Sequence, residues 1–414
     1  MYFLRVITPV FIGTGEAFTP MECYYDNNTV RFFNIDEIVK YINKDNHDAI
    51  GSLIASIDNS SSTKCSEVYE NLNGLIKNKI VRREILDTEN RKYVCNLRDF
   101  QEYNKDVLKN MYNMEGAYIP GTTIKGFIRT AIFYNYIKNL SLNELKELFK
   151  GNKKIEALIL GKNDRIANDP FRFLIVRDVN YVKYNARILS EEIISLNSEE
   201  GMSNVQYVQA ADGGSETEEF EILVDYGMIK NAVNGNIRKR DGVISFNKKL
   251  AFYLDNKKIT ECIYNYTNDL IDEDIKYFNI KGPGFVSRLK EIKNMNDVRE
   301  PIMKLGKDTG YLSHTIGLAI RKKYPEFYDK IFFEYLLPDI LYPKELMRIL
   351  NNSYDEYEIL NTEASKLYGD LSQKLSKLQF VLKNKRIFPT SRKYFKDDTG
   401  SELPGYVKLC ETQI

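Results

Sequence analysis

The chain has 414 residues and an almost balanced charge, with 59 Lys and Arg against 58 Asp and Glu. With 43% hydrophobic residues but only 23 Gly and 11 Pro, it is neither a disordered nor a collagen-like protein. The length predicts two or three structural units rather than one compact domain. A net charge of +1 argues against a uniformly basic protein that coats nucleic acid. A local basic groove stays open, because binding depends on where charges cluster.

Neither a membrane segment nor a metal site is predicted. The chain has no run of 18 uncharged apolar residues, and its first residues lack the basic start and apolar core of a signal peptide. We therefore expect a cytoplasmic protein without a membrane partner. The five cysteines lie at least 30 residues apart and only two histidines are present. This spacing disfavours a disulfide framework and a His- or Cys-rich metal site.

The first third of the chain is typical of β-structure followed by a helical insertion. Two apolar-rich segments, residues 21–25 and 30–33, flank a short turn and predict a β-hairpin. From residue 34 to about 92, apolar residues recur with helical spacing and Gly and Pro are scarce. We therefore predict a helical insertion over about 35–115 and a helix from about 118 to 138.

Strands and helices alternate through the rest of the chain. The predicted strands are 171–179, 204–210, 220–224 and 405–409. Residues 250–276 are predicted to be helical, and residues 312–382 largely helical with interruptions near Pro325, Pro338 and Pro343. A strand that returns near residue 409 predicts an α+β fold whose sheets are completed by distant segments. We place a first domain at 1–230 and a second, mostly helical region at 231–414, which contributes a glycine loop and the final strand.

The most informative segment is YIPGTTIKGFIRT, residues 118–130. A helix that begins after the turn at Gly121 has one apolar face. The opposite face carries Thr122, Lys125, Gly126 and Arg129. The helix dipole and the two cations attract phosphate, and Gly126 lets a nucleic-acid backbone approach the helix closely. An ordinary amphipathic helix with two solvated cations is the alternative, and periodicity alone favours it.

Two further glycine-rich segments can present backbone amides to an anion. TPVFIGTG, residues 8–15, carries Gly13, Thr14 and Gly15 after a predicted strand. MKLGKDTGYLSHTIG, residues 303–317, carries Gly306 and Gly310 before a predicted helix start at Ser313. A plain β-turn explains the first pattern equally simply. Neither segment contains a Walker pattern or a dinucleotide fingerprint, so no nucleotide cofactor is predicted.

Residues 371–396 form an acid-free basic stretch, with eight Lys or Arg and four interleaved aromatic residues. Cations follow phosphates and aromatic rings stack on bases, so this composition is typical of single-stranded RNA binding. Arg386, Arg392 and Lys393 are the candidate RNA contacts within it. A solvated helix end followed by a charged loop is an equally good explanation of such a charge run.

Together these segments resemble a known family. TPVFIGTG, YIPGTTIKGFIRT, KLGKDTGYLSHTIGLA and the C-terminal FPTSRKY and LPGYVKL are similar to motifs of the repeat-associated mysterious proteins (RAMPs) of CRISPR systems. Within this superfamily, their order and ending resemble the fifth Csm subunit of type III-A effector complexes. The resemblance implies a ferredoxin-like, RRM-related core with helical insertions, in a subunit that caps the 3′ end of the guide RNA (crRNA).

The resemblance also implies roles for residues and partners. The matching residues are Gly121, Lys125 and Arg129 for the guide-binding helix, Gly13, Thr14 and Gly15 for the first glycine loop, and Gly306, Gly310 and Ser313 for the later glycine loop. In that later loop this chain has Lys307 and Asp308 where relatives have an aromatic-rich sequence. The implied partners are the crRNA, the Csm backbone and small subunits, and a cellular 3′-exonuclease.

The resemblance favours a non-catalytic subunit. In the related subunit that cleaves target RNA, an aspartate follows the first glycine loop, whereas residues 16–23 here contain Glu16 and Glu22 but no aspartate. The alternative is a metal-independent endoribonuclease that processes precursor crRNA, with His47 or His314 as general base. A structural or surface histidine is the more common role for each. A protein–protein cap without RNA contact is the third possibility.

Overall fold

The computed structural model describes residues 1–60, 72–88, 91–97, 106–149, 159–160, 169–196, 205–234, 238–239, 242–243, 247–331, 387 and 389–412. Among these residues, no helix combines the length and the apolar character needed to span a bilayer. The described residues form both strands and helices, so the prediction of an α+β fold is confirmed.

Most strands belong to two sheets. The strands are β1 (Tyr2–Val6), β2 (Gly13–Phe18), β3 (Cys23–Asp26), β4 (Thr29–Phe32), β5 (Arg91–Cys95), β6 (Val107–Asn110), β7 (Tyr112–Asn113), β8 (Gly116–Ile119), β9 (Leu174–Val176), β10 (Val179–Lys183), β11 (Ala186–Ser195), β12 (Gln206–Ala211), β13 (Glu216–Thr217), β14 (Ile222–Val224), β15 (Arg238–Lys239), β16 (Gly242–Val243), β17 (Ile302–Lys304), β18 (Ser391–Asp397), β19 (Gly400–Glu402) and β20 (Tyr406–Glu411).

Helices connect these strands. The α-helices are α1 (Ile35–Lys40), α2 (Ala49–Ser60), α3 (Leu72–Lys77), α4 (Gly121–Asn139), α5 (Leu142–Leu148), α6 (Tyr226–Val233), α7 (Lys248–Ala251), α8 (Asn256–Ile280), α9 (Gly284–Met295), α10 (Gly317–Lys323) and α11 (Pro325–Ile331). Local sequence explains several helix starts. Asn34 and Glu37 form a capping box before α1, and Ser141 and Glu144 form another before α5.

The first sheet has seven strands in the order β17–β20–β1–β13–β10–β8–β7. Strand β1 pairs antiparallel with β20 over five residues, from Tyr2 opposite Glu411 to Val6 opposite Val407. Its other edge pairs with β13. The two strands that are farthest apart in the sequence are therefore neighbours at the centre of the sheet, which confirms that distant segments complete it.

The second sheet follows the path β2–β6–β12–β11–β5–β4–β3, with β18 paired to β11 and β19 paired to β18. Its longest strand, β11, pairs antiparallel with β12 along six residues and with β18 along six others. Strand β5 joins β11 in parallel over Arg187 and Ile188. This sheet therefore also unites the N-terminal, central and C-terminal parts of the chain.

The largest hydrophobic core lies between the first sheet and helices α4 and α8, which pack against each other. The predicted apolar face of α4 supplies Ile124, Phe127, Ile128 and Ala131, all of them buried. Burial of each large side chain among these contributes on the order of 1.5–3 kcal/mol. The prediction of this helix and of its buried face is confirmed, and so is that of the β3–β4 hairpin.

Some boundaries differ from the predictions. The predicted insertion over 35–115 is helical only in part, because β5, β6 and β7 also lie within it and join the two sheets. The predicted strand 171–179 begins as a 3₁₀ turn, Pro170–Phe173, whose N-cap is Asp169. The predicted helix start at Ser313 is wrong, since Tyr311–His314 is a 3₁₀ turn and α10 begins at Gly317. The predicted domain boundary at residue 230 stays a prediction.

Candidate RNA-binding site

The N-terminus of α4 is held tightly against the strand region that follows residue 174. The Gly121 amide donates a 2.8 Å hydrogen bond to Asp178 Oδ1. A Cβ at Gly121 would lie 2.2 Å from the Val176 carbonyl oxygen, so only glycine fits this approach. The carboxylate of Asp178 at this end of the helix is also stabilised by the helix dipole. The Gly121 amide, at the helix end where a phosphate was expected, is thus already hydrogen-bonded to the carboxylate of Asp178.

The outward face of α4 remains accessible beyond this first amide. Thr122 and Gly126 are exposed, and Lys125 and Arg129 are partly exposed. A Cβ at Gly126 would meet no atom within 4 Å, so the space above this helix position is open. Partial burial lowers the pKa of Lys125, and Asp169 opposes that shift. The two cations and the open glycine therefore lie on one side of the helix, as the periodicity predicts.

Arg129 is oriented by neighbours that are distant in sequence. Its guanidinium lies 3.6 Å from Asp169 Oδ2. It also lies over the rings of Phe133 and Phe171, at 5.2 and 5.6 Å from their centroids. An arginine held on aromatic faces loses little further freedom when it contacts a phosphate. Sequence reasoning missed Asp169 and Asp178, because their position beside α4 depends on the tertiary fold.

Three of the glycine motifs meet in one place. Gly306 has φ 106°, and a Cβ there would lie 2.5 Å from the Phe11 carbonyl oxygen. The same oxygen accepts a 3.0 Å hydrogen bond from the Lys307 amide, and the Gly405 amide donates to the Pro9 carbonyl at 2.8 Å. TPVFIGTG, the later glycine loop and LPGYVKL are therefore in direct backbone contact. We call these contacting segments, residues 8–15, 305–310 and 404–406, the glycine cluster.

The first glycine loop forms an irregular strand rather than the predicted turn. Gly13 is the first residue of β2 and pairs with Asn110, and the register then shifts before Ala17. Thr14 and Gly15 lie on this irregular, exposed stretch, where Gly15 has φ 90°. The register shift leaves part of the ladder open, which is consistent with the predicted exposure of backbone amides.

The later glycine loop is closed internally by its own side chains. The Ser313 hydroxyl donates to the Gly310 carbonyl at 2.6 Å, and its oxygen lies 3.0 Å from Thr309 Oγ1. Thr309 Oγ1 also lies 2.9 Å from His314 Nε2. Helix α4 contacts the Tyr311–His314 turn, and Tyr266 of α8 donates to the Leu312 carbonyl at 2.6 Å. These contacts hold the turn that follows the glycine cluster against α4 and α8.

Asp308, the acid that departs from the family pattern, points into the protein. It is buried, and its Oδ1 accepts from Lys393 Nζ at 2.9 Å. The same ammonium contacts Glu191. Burial and the charge of Glu191 raise the pKa of Asp308 to about 6. The extra acid is therefore paired within the protein and does not face the solvent side of the loop.

The C-terminal basic candidates have different surroundings. Arg392 is buried, donates to Asp274 Oδ1 at 2.8 Å and to the Pro389 carbonyl at 2.7 Å, and lies over the Tyr277 ring. Both Arg392 and Lys393 lie on β18, and each is paired with an acid. Their role as RNA contacts stays a prediction that would require these pairs to open. Arg386 lies outside the described residues.

The two histidines that could serve an enzyme lie in different surroundings. His47 is exposed in a turn before α2, within the helical part of the insertion. His314 contacts Thr309 in the glycine cluster region, and burial together with the charge of Lys304 lowers its pKa. The structure therefore brings α4 together with the later glycine loop and His314, and places His47 in another structural unit.

Comparisons with known proteins identify the family of the chain. Residues 3–281 match the model of the RAMP superfamily. A curated protein of Methanocaldococcus jannaschii, named CRISPR system Cms protein Csm5, is 25% identical over 333 residues, which cover 75% of this chain and 71% of the relative.

Two solved structures have a similar fold. One is a chain of a Csm–crRNA–target RNA ternary complex of a type III-A CRISPR–Cas system, determined by cryo-electron microscopy, with a TM-score of 0.63, 18% identity and 99% of this chain and all of that chain covered. The other is the crystal structure of T. onnurineus Csm5, with a TM-score of 0.58, 18% identity and 78% of this chain and 95% of that chain covered. The resemblance to Csm5 is confirmed, and the chain belongs to the RAMP superfamily.

Proposed function

We propose that the chain is a non-catalytic crRNA-binding subunit of a type III-A Csm complex and that it caps the 3′ end of the guide. The observation that carries this proposal is the open face of α4, which presents Lys125, Gly126 and Arg129, while the turn that follows the glycine cluster packs against the same helix. This face combines two cations with an exposed glycine and lacks bulky side chains, which suits a sugar–phosphate chain.

The similar proteins support the partners. The relative from M. jannaschii carries the name Csm5, and one similar fold belongs to a complex that contains crRNA and target RNA. We therefore propose crRNA and the other Csm subunits as partners in the cytoplasm. Recruitment of a cellular 3′-exonuclease is a further proposal that rests on the family resemblance.

We also propose that the predicted ferredoxin-like core consists of β1, α4, β10, β13, α8 and β20, in chain order. These elements follow the βαββαβ pattern. The sheet order β20–β1–β13–β10 places the fourth strand of this pattern beside the first and the third between the first and second, with every neighbouring pair antiparallel. In such a core, α4 is the first helix, so its exposed N-terminal face belongs to the core itself rather than to an insertion.

Substitution of the two cations on α4 tests the RNA site. We expect Lys125→Ala and Arg129→Gln each to weaken binding of single-stranded guide RNA and to lower the slope of log K against log salt concentration by about 0.7 to 1. Fluorescence anisotropy at four salt concentrations measures both effects. Lys290→Ala, which removes an exposed lysine from α9, is the matched control. An affinity and a slope equal to those of the control variant would contradict the assignment.

The second candidate function is the metal-independent endoribonuclease. The observation in its favour is that His314, with its lowered pKa, stays neutral near pH 7 and lies within the cluster region. Incubation of the purified chain with repeat RNA in EDTA distinguishes the two functions. Clean cleavage that is lost in His314→Ala would support the enzyme, whereas intact RNA in the presence of tight binding supports the cap.

A further inference from the structure

A groove lies at the opposite end of α4, where the helix meets α7 and the first turns of α8. Two adjoining cavities of about 450 and 440 Å³ share Asn139, Phe252 and Tyr253 in their walls. We call this pair of cavities the Phe252 groove. Fourteen residues separate Lys125 from Asn139, which corresponds to about 21 Å along the helix. The groove is therefore separate from the α4 face and the glycine cluster described above.

The groove contains a large aromatic side chain, Phe252, that is mostly exposed to solvent. Phe252 follows α7 directly and is 65% exposed. Its ring meets Tyr253 edge-on, with centroids 5.9 Å apart, and the Lys258 ammonium lies over it. A large exposed ring next to a cavity is a better indication of a binding site than an isolated surface residue. The Lys258 ammonium covers one face of the Phe252 ring, so a flat ligand can stack only on the opposite face.

The charges around the groove favour an anionic ligand. Lys249 pairs with Glu144 at 2.7 Å, and Lys138 pairs with Asp269 at 2.8 Å. Lys248 and Lys258 form no ion pair with any acid in the described ranges. Glu261 also lines the groove, so the four lysines there exceed the acids Glu144, Asp269 and Glu261 by one charge. This surplus of positive charge favours a ligand that carries phosphates over an uncharged, apolar segment of a partner protein.

Polar groups beside the ring can read the edge of a base. The Tyr253 hydroxyl accepts a 2.8 Å hydrogen bond from Asn139 Nδ2, which leaves its own proton available for donation. Burial raises the pKa of Tyr253, so the hydroxyl stays protonated at neutral pH. The cavities have the volume of typical small-ligand sites, about 300–1,000 Å³. One nucleotide is therefore of suitable size for either half of the groove.

We propose that the Phe252 groove is a second RNA contact, in which Phe252 stacks on one base of a single strand while Lys248 and Lys258 contact the adjacent phosphates. The proposal rests on the proposed RNA-binding function and deepens it by naming a site remote from the glycine cluster. Stacking on an aromatic ring with flanking cations is how proteins bind single strands with little sequence preference. The ligand class is thus single-stranded RNA, read mainly through one base face and its phosphates.

Substitution of the exposed ring tests stacking directly. We expect Phe252→Ala to weaken binding of a labelled single-stranded oligoadenosine to the full chain by roughly 5- to 100-fold, the usual effect of losing one base–aromatic contact. Phe252→Trp should restore binding, because it keeps an aromatic face. Tyr226→Ala removes another exposed ring, 51% accessible and located on α6, and serves as the control. Since Phe252 is exposed, thermal unfolding should change little in all three variants.

Lysine substitutions and crosslinking provide independent measurements. Lys248→Ala and Lys258→Ala should each lower the salt slope by about 0.7, the value for one phosphate contact on a single strand. Ultraviolet crosslinking of guide RNA in the assembled complex should yield an adduct on the peptide that contains Phe252. A Phe252→Ala variant that binds RNA like the Tyr226→Ala control would overturn the groove proposal, as would normal RNA affinity combined with lost binding to a Csm subunit.

The two proposals fail in different ways. If Lys125→Ala weakens RNA binding and Phe252→Ala does not, the proposed function stands and the groove is refuted. If neither the wild-type chain nor the complexed subunit binds or crosslinks to RNA, the proposed function itself fails and the groove proposal fails with it. Reduced binding in both variants, rescued by tryptophan at position 252, supports both sites.

Discussion

Protonation of the buried Asp308 carboxyl group makes the stability of the folded chain depend on pH. Its pKa is raised to about 6 from an ordinary value of 3.8, because it is buried next to Glu191. Between these two values the folded chain holds a proton that the unfolded chain has released. The contribution of this group to stability is therefore present at pH below about 4 and is lost as the pH rises through about 6.

Replacement of this acid should remove part of the pH dependence. We expect the stability of the wild-type chain relative to Asp308→Asn to fall by on the order of 1–3 kcal/mol between pH 4.5 and 7.5. Thermal or urea unfolding of both proteins at each pH measures the difference. Glu219→Gln, which neutralises an exposed acid, should show no such trend. A wild-type-minus-variant difference that stays constant across this pH range would argue against a raised pKa.

At the scale of single residues, the sequence predicts which cations share a helix face but not which side chains they contact. Lys125 and Arg129 were assigned to one helix face, and the structure places them there. The pairing of Arg392 with Asp274 joins residues 118 positions apart. A basic run of this kind has the same sequence pattern whether its cations face solvent or a buried acid, because the acid comes from another element.

The fold does not require a glycine at position 126 of helix α4. The space above Gly126 is open and the residue is exposed in the helix interior. Gly126→Ala should therefore stabilise the chain by roughly 0.5–1 kcal/mol, since alanine is the better helix former. If a phosphate chain lies on this face, the same methyl group should weaken RNA binding. Thermal unfolding of this variant would test the expected gain in stability, and RNA titration would test the expected loss of affinity. An unchanged RNA affinity would remove Gly126 from the candidate site.

The later glycine loop contains two glycines with similar backbone angles but different surroundings. Gly306 and Gly310 have φ 106° and 88° with ψ 179° and 165°, a region almost restricted to glycine, so alanine at either position costs about 1–3 kcal/mol of backbone strain. A Cβ at Gly306 would also lie 2.5 Å from the Phe11 carbonyl oxygen, whereas Gly310 has open space. We expect Gly306→Ala to be clearly more destabilising than Gly310→Ala in thermal unfolding. Equal losses would show that the close packing of the glycine cluster is not needed for stability.

At the scale of elements, strong local patterns were predictable and weak ones were not. The β3–β4 hairpin and α4 have clear apolar periodicities, and both were predicted. Strand β5, residues Arg91–Cys95, was included in a helical insertion because five residues cannot establish a period. Its strand conformation is stabilised by hydrogen bonds to β4 and β11, and no local signal indicates those partners.

The whole molecule depends on a strand that lies more than 400 residues from its neighbour. Tyr406, Val407 and Leu409 of β20 are fully buried, and β20 pairs with both β1 and β17. Removal of residues 405–414 should expose two strand edges and part of the core. We expect the truncated chain to lose cooperative unfolding, measured by calorimetry, and a synthetic peptide of residues 403–414 to restore it. An unchanged melting temperature without the peptide would contradict this expectation.

Sequence predicted that distant segments would complete the sheets, but it could not specify strand order. Strands β1, β10 and β20 all combine apolar and polar residues, and each could pair with several others. Strand order depends on the helices that cover one face of the sheet and on close backbone contacts at glycines, such as that of Gly306 with Phe11. These constraints act only in the assembled structure, so they leave no local pattern.

The glycine cluster has a consequence for the timing of synthesis. Its segments come from residues near 10, 306 and 405, so a nascent chain that is still missing its last fifty residues cannot close the cluster. Bringing together segments that are separated by about 400 residues also makes this a late event in folding. If the cluster contacts the guide, that contact forms only after residue 405 has been translated, whereas the candidate contacts on α4 and in the Phe252 groove are complete in the chain much earlier.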